Sequence, residues 1–429
     1  MIDRIRSALI GESFSGVLLL FAVLIKGLSL WIVLSWNFSD APLESQVMFR
    51  RNDIEYFQVF GAAGRFDAGE FQILERSGEN TDVPLFLKAQ PFGVAISLFG
   101  VKGLLITDVL GTLLYYVLLT RFLSKFLFSM TLCRWLSLLA ISLEATVNRV
   151  FHQLLGTSFV SFWDLRLPNP FVAECISLFC LLIEYEFYRG KCGLRTFTVL
   201  SFALSFLMAN NFHYFVLHIL ILAALLLRNV CIRGLQNSVK LVWPGLIVLA
   251  AVFVLFITAI QRYGPEVEAR VGIFPISRKI VLLNEGIVLV SVMMFLLAFV
   301  VRYWRKMPDE IGLKKACEIP FIFGVVYIAW LTTPVFLVLT GKVAQFHNFQ
   351  YIFERKAGYA LLILIGFCIQ KCINAITRRL SCRSISRLFW VSNIAAVTAA
   401  VAAAIVVADL DLKRRTHRTG YYDPGVSSY

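Results

Sequence analysis

Long apolar stretches separated by short polar segments recur along the whole length of the chain. A helix needs about 18–25 residues to cross a hydrocarbon core of about 30 Å, and the apolar stretches have this length. By this rule the pattern predicts about eleven transmembrane helices. The predicted spans lie near residues 14–36, 103–123, 131–147, 170–187, 194–210, 212–229, 241–261, 284–303, 319–340, 358–377 and 388–408.

Transmembrane β-strands are the structural alternative, and they require apolar and polar residues to alternate. The run from Phe215 to Leu227 does not alternate. The sequence therefore predicts an all-α fold, a polytopic transmembrane helix bundle. Residues 1–429 form a single transmembrane domain, and its first outer segment, 37–90, is expected to contain interfacial helices.

The composition supports a membrane environment for these helices. The 429 residues are 59% hydrophobic and only 16% charged, whereas soluble domains are about 45–50% apolar and about 25% charged. A soluble fold would have to expose apolar patches larger than monomers tolerate. The excess apolar surface is expected to contact membrane lipid.

The basic residues predict the orientation of the bundle. With the N-terminus in the cytoplasm, nearly all inner loops are short and rich in Lys and Arg, as the positive-inside rule requires. The net charge of +14 is therefore interpreted as a topology signal and an attraction to anionic lipid, and not as a nucleic-acid-binding surface. About eleven spans put the C-terminal tail outside, but its Lys413, Arg414, Arg415 and Arg418 favour the inside, so its side is left open.

The first outer segment carries an acidic motif, Asp53-Ile54-Glu55-Tyr56, followed by the run from Val83 to Pro91 with Lys88 before the next span. This layout resembles the GT-C class of membrane glycosyltransferases, which take sugars from polyprenyl-phosphate carriers. The resemblance implies a glycosyl donor in the membrane and an acidic catalytic residue soon after the first span. A second element, Arg166-Leu167-Pro168-Asn169-Pro170, resembles an Arg-x-Pro element of bacterial polytopic sugar-transfer proteins.

Sugar transfer to a hydroxyl needs a base for the acceptor proton, and a carboxylate at the water–membrane boundary can supply it. Asp53 and Glu55 are two residues apart, so on a regular helix they point to different sides. We expect Asp53 to act as the base and Glu55 to orient it or cap the helix. The alternative is that Asp53 complements the dipole in the first turn of an interfacial helix.

The departing phosphate needs positive charge, and guanidinium groups suit a phosphodiester. His347 could bind a pyrophosphate or polarise a hydroxyl. For the cationic side chains the alternative is that each reaches toward lipid headgroups without a catalytic role. The candidates in the outer segments are Lys88, Arg149, Arg166, Arg270, Arg278, His347 and Arg355.

Some ionisable residues fall within or near the predicted spans. Lys26, Glu144 and Glu174 are costly there unless they are paired or face a cavity. Glu184 and Glu186 are expected at the inner membrane interface. No phosphate-binding loop and no zinc-binding motif is present in the sequence, so no cofactor is expected, and the use of a divalent cation is left open.

The leading hypothesis is a glycosyltransferase of a bacterial inner membrane. It would move a sugar from a polyprenyl-phosphate donor to a lipid-linked glycan or a lipopolysaccharide or O-antigen type of acceptor at the outer face. One alternative is an O-antigen polymerase or ligase with a lipid-pyrophosphate donor. Another is a flippase for lipid-linked oligosaccharides or a different transporter, which predicts charged residues along a path inside the spans. The oligomeric state is left open.

Overall fold

The structure is a computed structural model. It describes residues 93–100, 102–127, 129–138, 140–141, 171–191, 193–210, 212–260, 273–275, 318–340, 342–344 and 346–377. The predicted spans near 14–36, 284–303 and 388–408 lie outside these described residues.

The described part is helical apart from one short strand pair, which confirms the all-α class for these residues. Two short helical segments cover 93–99 and 130–138. The longer helices are α1 (Lys102–Phe126), α2 (Phe171–Tyr188), α3 (Leu194–Asn210), α4 (Phe212–Arg233), α5 (Leu235–Ile260), α6 (Ile319–Thr340) and α7 (Phe346–Thr377). Each long helix matches a predicted span, but α7 begins at Phe346 and not at 358.

Strand β1 (Ile273–Pro275) pairs antiparallel with strand β2 (Lys342–Ala344), with Phe274 opposite Val343. The strands belong to two different predicted outer segments, one after α5 and one between α6 and α7. Their pairing brings these two segments together, which was not expected from the apolar pattern.

Helix α4 shows why these sequences pack as a bundle. Its buried residues recur three or four positions apart, so they form one stripe along the helix. The stripe consists of His213, Tyr214, Leu217, His218, Ile221, Leu222 and Leu225. The other side of α4 leaves Leu227 and Ile232 exposed, although both are apolar.

Exposed apolar side chains also cover the outside of α3 and α5, including Phe202, Trp243 and Val254. Two of the described helical stretches, Val109–Phe126 and Phe212–Arg233, are long and apolar enough to cross a membrane. Together these features support an association with a membrane. The total number of spans and their orientation stay predictions.

Two glycines allow tight connections between neighbouring helices. Gly190 follows α2 and Gly234 follows α4, with φ angles of 72° and 81° that L side chains rarely adopt. The guanidinium of Arg233 donates a hydrogen bond of 3.2 Å to the carbonyl of Gly190, and Arg228 donates one of 2.8 Å to the carbonyl of Tyr188. The C-terminal ends of α2 and α4 are therefore joined.

Ion pairs extend this junction to α1 and α6. Lys125 Nζ lies 2.5 Å from Glu186 Oε1 of α2. Arg189 Nη1 lies 3.6 Å from Glu318 Oε1, immediately before α6. We name this end of the bundle the basic end, after Lys125, Arg189, Arg228 and Arg233. The opposite end, where α2, α4 and α7 begin, is named the far end.

Candidate functional site

Polar side chains from α1, α2, α4 and α7 meet inside the bundle. Each is at most 9% exposed, although all of them carry a hydrogen-bonding or charged group. We name this group the buried polar cluster. Its members are Tyr115, Glu174, Ser177, Glu184, Tyr214, His218, Arg355, Lys356 and Tyr359.

Glu174 is the centre of the cluster on the side of the far end. Its Oε1 atom lies 2.8 Å from Lys356 Nζ and also accepts a hydrogen bond from the hydroxyl of Tyr359. Its Oε2 atom accepts a hydrogen bond of 2.6 Å from the hydroxyl of Tyr214. Three donors from two other helices therefore compensate the burial of this carboxylate.

Aromatic rings surround the ammonium group of Lys356. The Nζ atom lies 5.3 Å from the centroid of the Tyr214 ring and 5.1 Å from that of Tyr359. Rings at this distance attract a cation through their quadrupoles. Lys356 is fully buried, so the rings and Glu174 replace the water that the ammonium loses.

Arg355 adds a second cation next to Lys356. Its Nη1 atom donates a hydrogen bond of 3.4 Å to the hydroxyl of Tyr115, and that hydroxyl lies 3.1 Å from the hydroxyl of Tyr359. Arg355 is 9% exposed, so it does not reach toward lipid headgroups as a solvated loop residue would. It was a predicted phosphate-binding residue, and it lies within the cluster.

A second group of contacts leads from Lys356 toward the basic end. Lys356 Nζ donates a hydrogen bond of 2.9 Å to Ser177 Oγ, which lies 2.8 Å from His218 Nε2. His218 Nδ1 lies 2.9 Å from Glu184 Oε1 and 3.0 Å from Oε2. At 1.5 Å per residue, Glu184 lies about 15 Å from Glu174 along α2.

The helical repeat explains why these residues share the interior. Glu174, Ser177 and Glu184 are three and seven positions apart, which places them on one face of α2. Tyr214 and His218 are four positions apart on α4 and therefore also lie on one face. This spacing is present in the sequence, but the sequence-based predictions treated Glu174 and Glu184 one at a time.

The structure adds to the expectations about charged residues. Glu184, which was expected at the inner membrane interface, is fully buried between helices and bonded to His218, and its depth in a membrane stays a prediction. Arg355 was expected in an outer segment, but it belongs to α7 and is buried, as is its neighbour Lys356. In both places a group on a neighbouring helix pairs with the charge. This pairing compensates the desolvation cost of burying it.

Of the remaining predicted site residues, the structure describes only His347. His347 lies in the first turn of α7, immediately after β2. The other candidates lie outside the described residues; these are Asp53, Glu55, Lys88, Arg149, Arg166, Arg270 and Arg278.

Ser177, His218 and Glu184 have the hydrogen-bonding order of a catalytic Ser–His–acid triad. Ser177 Oγ, however, is fully buried and accepts a hydrogen bond from Lys356, so it is not open to a substrate in this structure. This arrangement suits proton exchange better than nucleophilic attack. Among the described residues, no group of three or more His, Cys, Asp or Glu could hold a metal ion.

Comparison of the chain with known protein families, curated proteins and solved structures found no match in any of the three.

Proposed function

We propose that the protein is a polytopic membrane glycosyltransferase of GT-C type. It moves a sugar from a polyprenyl-phosphate donor to a lipid-linked glycan or to a lipopolysaccharide or O-antigen type of acceptor. The reaction takes place at the outer face of a bacterial inner membrane, which about eleven helices cross with the N-terminus in the cytoplasm. The far end of the bundle corresponds to the outer face in this proposal.

The observation that carries the proposal is the pair of buried cations beside Glu174. Arg355 and Lys356 are adjacent on α7, and the carboxylate that contacts Lys356 is Glu174. On the side of the far end, two adjacent cationic side chains of the described cluster therefore lie beside Glu174. Fixed positive charge inside a water-poor site stabilises a departing phosphate strongly.

The β1–β2 pair supports a common site for several candidates. In the sequence Arg270 and Arg278 flank β1, and His347 follows β2. The described strands of these two segments are paired, with Phe274 opposite Val343. Arg355 follows on the same helix as His347.

Asp53 supplies the base in the proposed reaction and takes the proton of the acceptor hydroxyl. Glu55 orients Asp53 or its helix. The acceptor oxygen forms the new bond to the anomeric carbon, and the polyprenyl phosphate leaves with the electron pair of the old C–O bond. The positive potential of the buried Arg355–Lys356 pair stabilises the negative charge that develops on it. The reaction needs no nucleotide-binding motif, because the sugar is carried by a membrane lipid, polyprenyl phosphate.

The variants Asp53→Asn, Glu55→Gln and the double variant test the catalytic acids. We expect Asp53→Asn and the double variant to lower sugar transfer by about 10²-fold or more, as loss of a general base does. The measurement is transfer from a polyprenyl-phosphate sugar in isolated membranes, together with mass spectrometry of the envelope glycans. The control is Asp82→Asn, an acid of the same segment, which should retain transfer. Undiminished transfer in all three variants would contradict the proposal.

Arg355→Gln tests the cationic pair separately. We expect it to weaken use of the donor by about ten-fold or more, since a charge-assisted hydrogen bond is lost. Arg195→Gln is the matched control, because Arg195 is exposed at the start of α3 near the basic end. If both variants use the donor equally well, Arg355 does not take part in donor binding.

The buried charges favour a second candidate, a transporter for lipid-linked oligosaccharides. A transporter predicts ionisable residues along a path inside the helices, and His218 and Glu184 are buried in this way. Reconstituted vesicles separate the two candidates: translocation of a lipid-linked oligosaccharide without covalent transfer supports the transporter. In cells, loss of a single side-branch sugar supports the transferase, and loss of the whole polymer supports an O-antigen polymerase or ligase.

A further inference from the structure

A continuous line of hydrogen bonds runs through the interior of the bundle from Lys356 to Glu184. It passes from Lys356 Nζ to Ser177 Oγ at 2.9 Å, to His218 Nε2 at 2.8 Å, and from His218 Nδ1 to Glu184 at 2.9 Å. Every group on this line is fully buried. Each step is short enough for a proton to pass along the hydrogen bond.

The partners determine the direction of each hydrogen bond. The ammonium of Lys356 can only donate, so Ser177 Oγ accepts from it and has its own proton left to donate to His218 Nε2. His218 then carries its proton on Nδ1 and donates it to the carboxylate of Glu184. This tautomer is assigned from the partners of the ring.

An imidazole can accept a proton on one nitrogen while it releases another from the second nitrogen, so His218 can pass a proton between Ser177 and Glu184. Other titratable groups face or adjoin the line from the packed helices; these are Tyr115, Cys175, Cys180, His213, Tyr214 and Tyr359.

Ser177 differs from other buried serines of the described helices. The hydroxyls of Ser137, Ser201 and Ser205 donate to the carbonyl four residues earlier on their own helix. The hydroxyl of Ser177 connects a lysine of α7 with a histidine of α4. A serine that only filled space in the helix would not need two ionisable partners.

From this geometry we infer that the protein transfers protons through the bundle interior along Lys356, Ser177, His218 and Glu184. In one step Lys356 releases a proton to Ser177 Oγ, Ser177 releases its own proton to His218 Nε2, and His218 releases its Nδ1 proton to Glu184. Lys356 becomes neutral and Glu184 becomes protonated, while Ser177 is unchanged and His218 has exchanged tautomers. For net transfer, Lys356 then takes up a proton from the side of the far end and Glu184 releases its proton toward the basic end. His218 and Ser177 reorient to restore their starting hydrogen bonds.

Each end of the line leads toward one end of the bundle. Beyond Lys356, Glu174 Oε1 connects the line to the hydroxyl of Tyr359, which continues through Tyr115 to Arg355, the most exposed member of the cluster. Glu184 lies about one helical turn before Tyr188, where α2 ends at the basic end. This activity does not depend on the proposed sugar transfer, since neither a sugar nor a lipid takes part.

The test uses the full-length protein in liposomes that contain a pH-sensitive dye. A potassium gradient with valinomycin drives proton entry, and the rate of dye response is compared with that of protein-free liposomes. We expect a flux above the protein-free rate that Ser177→Ala lowers by about ten-fold or more, because the hydroxyl link is lost. Ser201→Ala is the matched control and should conduct as the unchanged protein does.

Two further variants separate proton transfer from folding. Ser177→Thr keeps a hydroxyl and should restore most of the flux, and His218→Asn keeps a polar side chain but should not conduct. Size-exclusion elution and the thermal midpoint show whether each variant is folded. The inference is overturned if the unchanged protein conducts no faster than empty liposomes, or if folded His218→Asn or Ser177→Ala conducts normally. Glycan transfer by the same preparations tests the proposed function separately.

Discussion

Replacing Lys356 with methionine is expected to destabilise the folded protein by about 3–5 kcal/mol, because a buried carboxylate then loses its cation. Glu174 is 2% exposed and Lys356 is fully buried, with 2.8 Å between Oε1 and Nζ. An interhelical hydrogen bond in a membrane protein contributes only about 0.6 kcal/mol on average. The hydrogen bonds from Tyr214 and Tyr359 to Glu174 therefore cannot compensate the loss of the lysine charge.

The midpoint of thermal unfolding in a mild detergent measures this effect. We expect Lys356→Met to lower it by several degrees, and Glu174→Gln in the same chain to recover a large part of the loss. Lys191→Met is the control, because Lys191 is exposed next to Gly190. If Lys356→Met unfolds at the midpoint of the unchanged protein, the two side chains do not form a charged pair.

Gly245→Leu is expected to destabilise the contact between α3 and α5 by about 3 kcal/mol or more, because the added side chain has no room. A Cβ atom at Gly245 would already overlap the ring of Phe197 and the hydroxyl of Ser201. Both of these side chains are buried, so they cannot move into water. Small residues allow helices in membranes to approach closely, and Gly245 has this role here.

Gly324→Leu is the matched control for this substitution. Gly324 lies in α6, and among the described residues no atom lies within 4 Å of a Cβ added there. In a helix, leucine is also more stable than glycine by about 1 kcal/mol. We therefore expect Gly324→Leu to retain or raise the unfolding midpoint. Equal midpoints for the two leucine variants would mean that α3 and α5 do not pack through Gly245.

The positions of the helices could be predicted because their apolar length is a property of local sequence. The predicted span 194–210 coincides with α3 (Leu194–Asn210). The predicted span 358–377 covers only the later part of α7, which begins at Phe346. The charge of Lys356 is paired with Glu174 of another helix, so the helix can contain it before the apolar stretch begins.

The pairing inside the cluster could not be predicted in the same way. Glu184 and His218 are 34 residues apart, and Glu174 and Lys356 are 182 residues apart. Nothing local marks such pairs, since they form only when the helices pack side by side. Arg355 was identified as a candidate from its charge, but its contact with Tyr115 follows from tertiary structure alone. The roles of Asp53 and Glu55 stay predictions.

The long separation between Glu174 and Lys356 has a consequence for biosynthesis. Tyr214 follows Glu174 after 40 residues, whereas Lys356 follows after 182. At about 5–20 residues per second, roughly ten to forty seconds pass between the synthesis of the carboxylate and that of its cation. During this interval α2 and α4 can already pair through Tyr214 and His218. When α7 is synthesised, Lys356 supplies the positive charge that pairs with Glu174 and stabilises the packing of the earlier helices. Translation that stops before residue 356 therefore leaves an intermediate in which Glu174 lacks this cation, and quality control can recognise it.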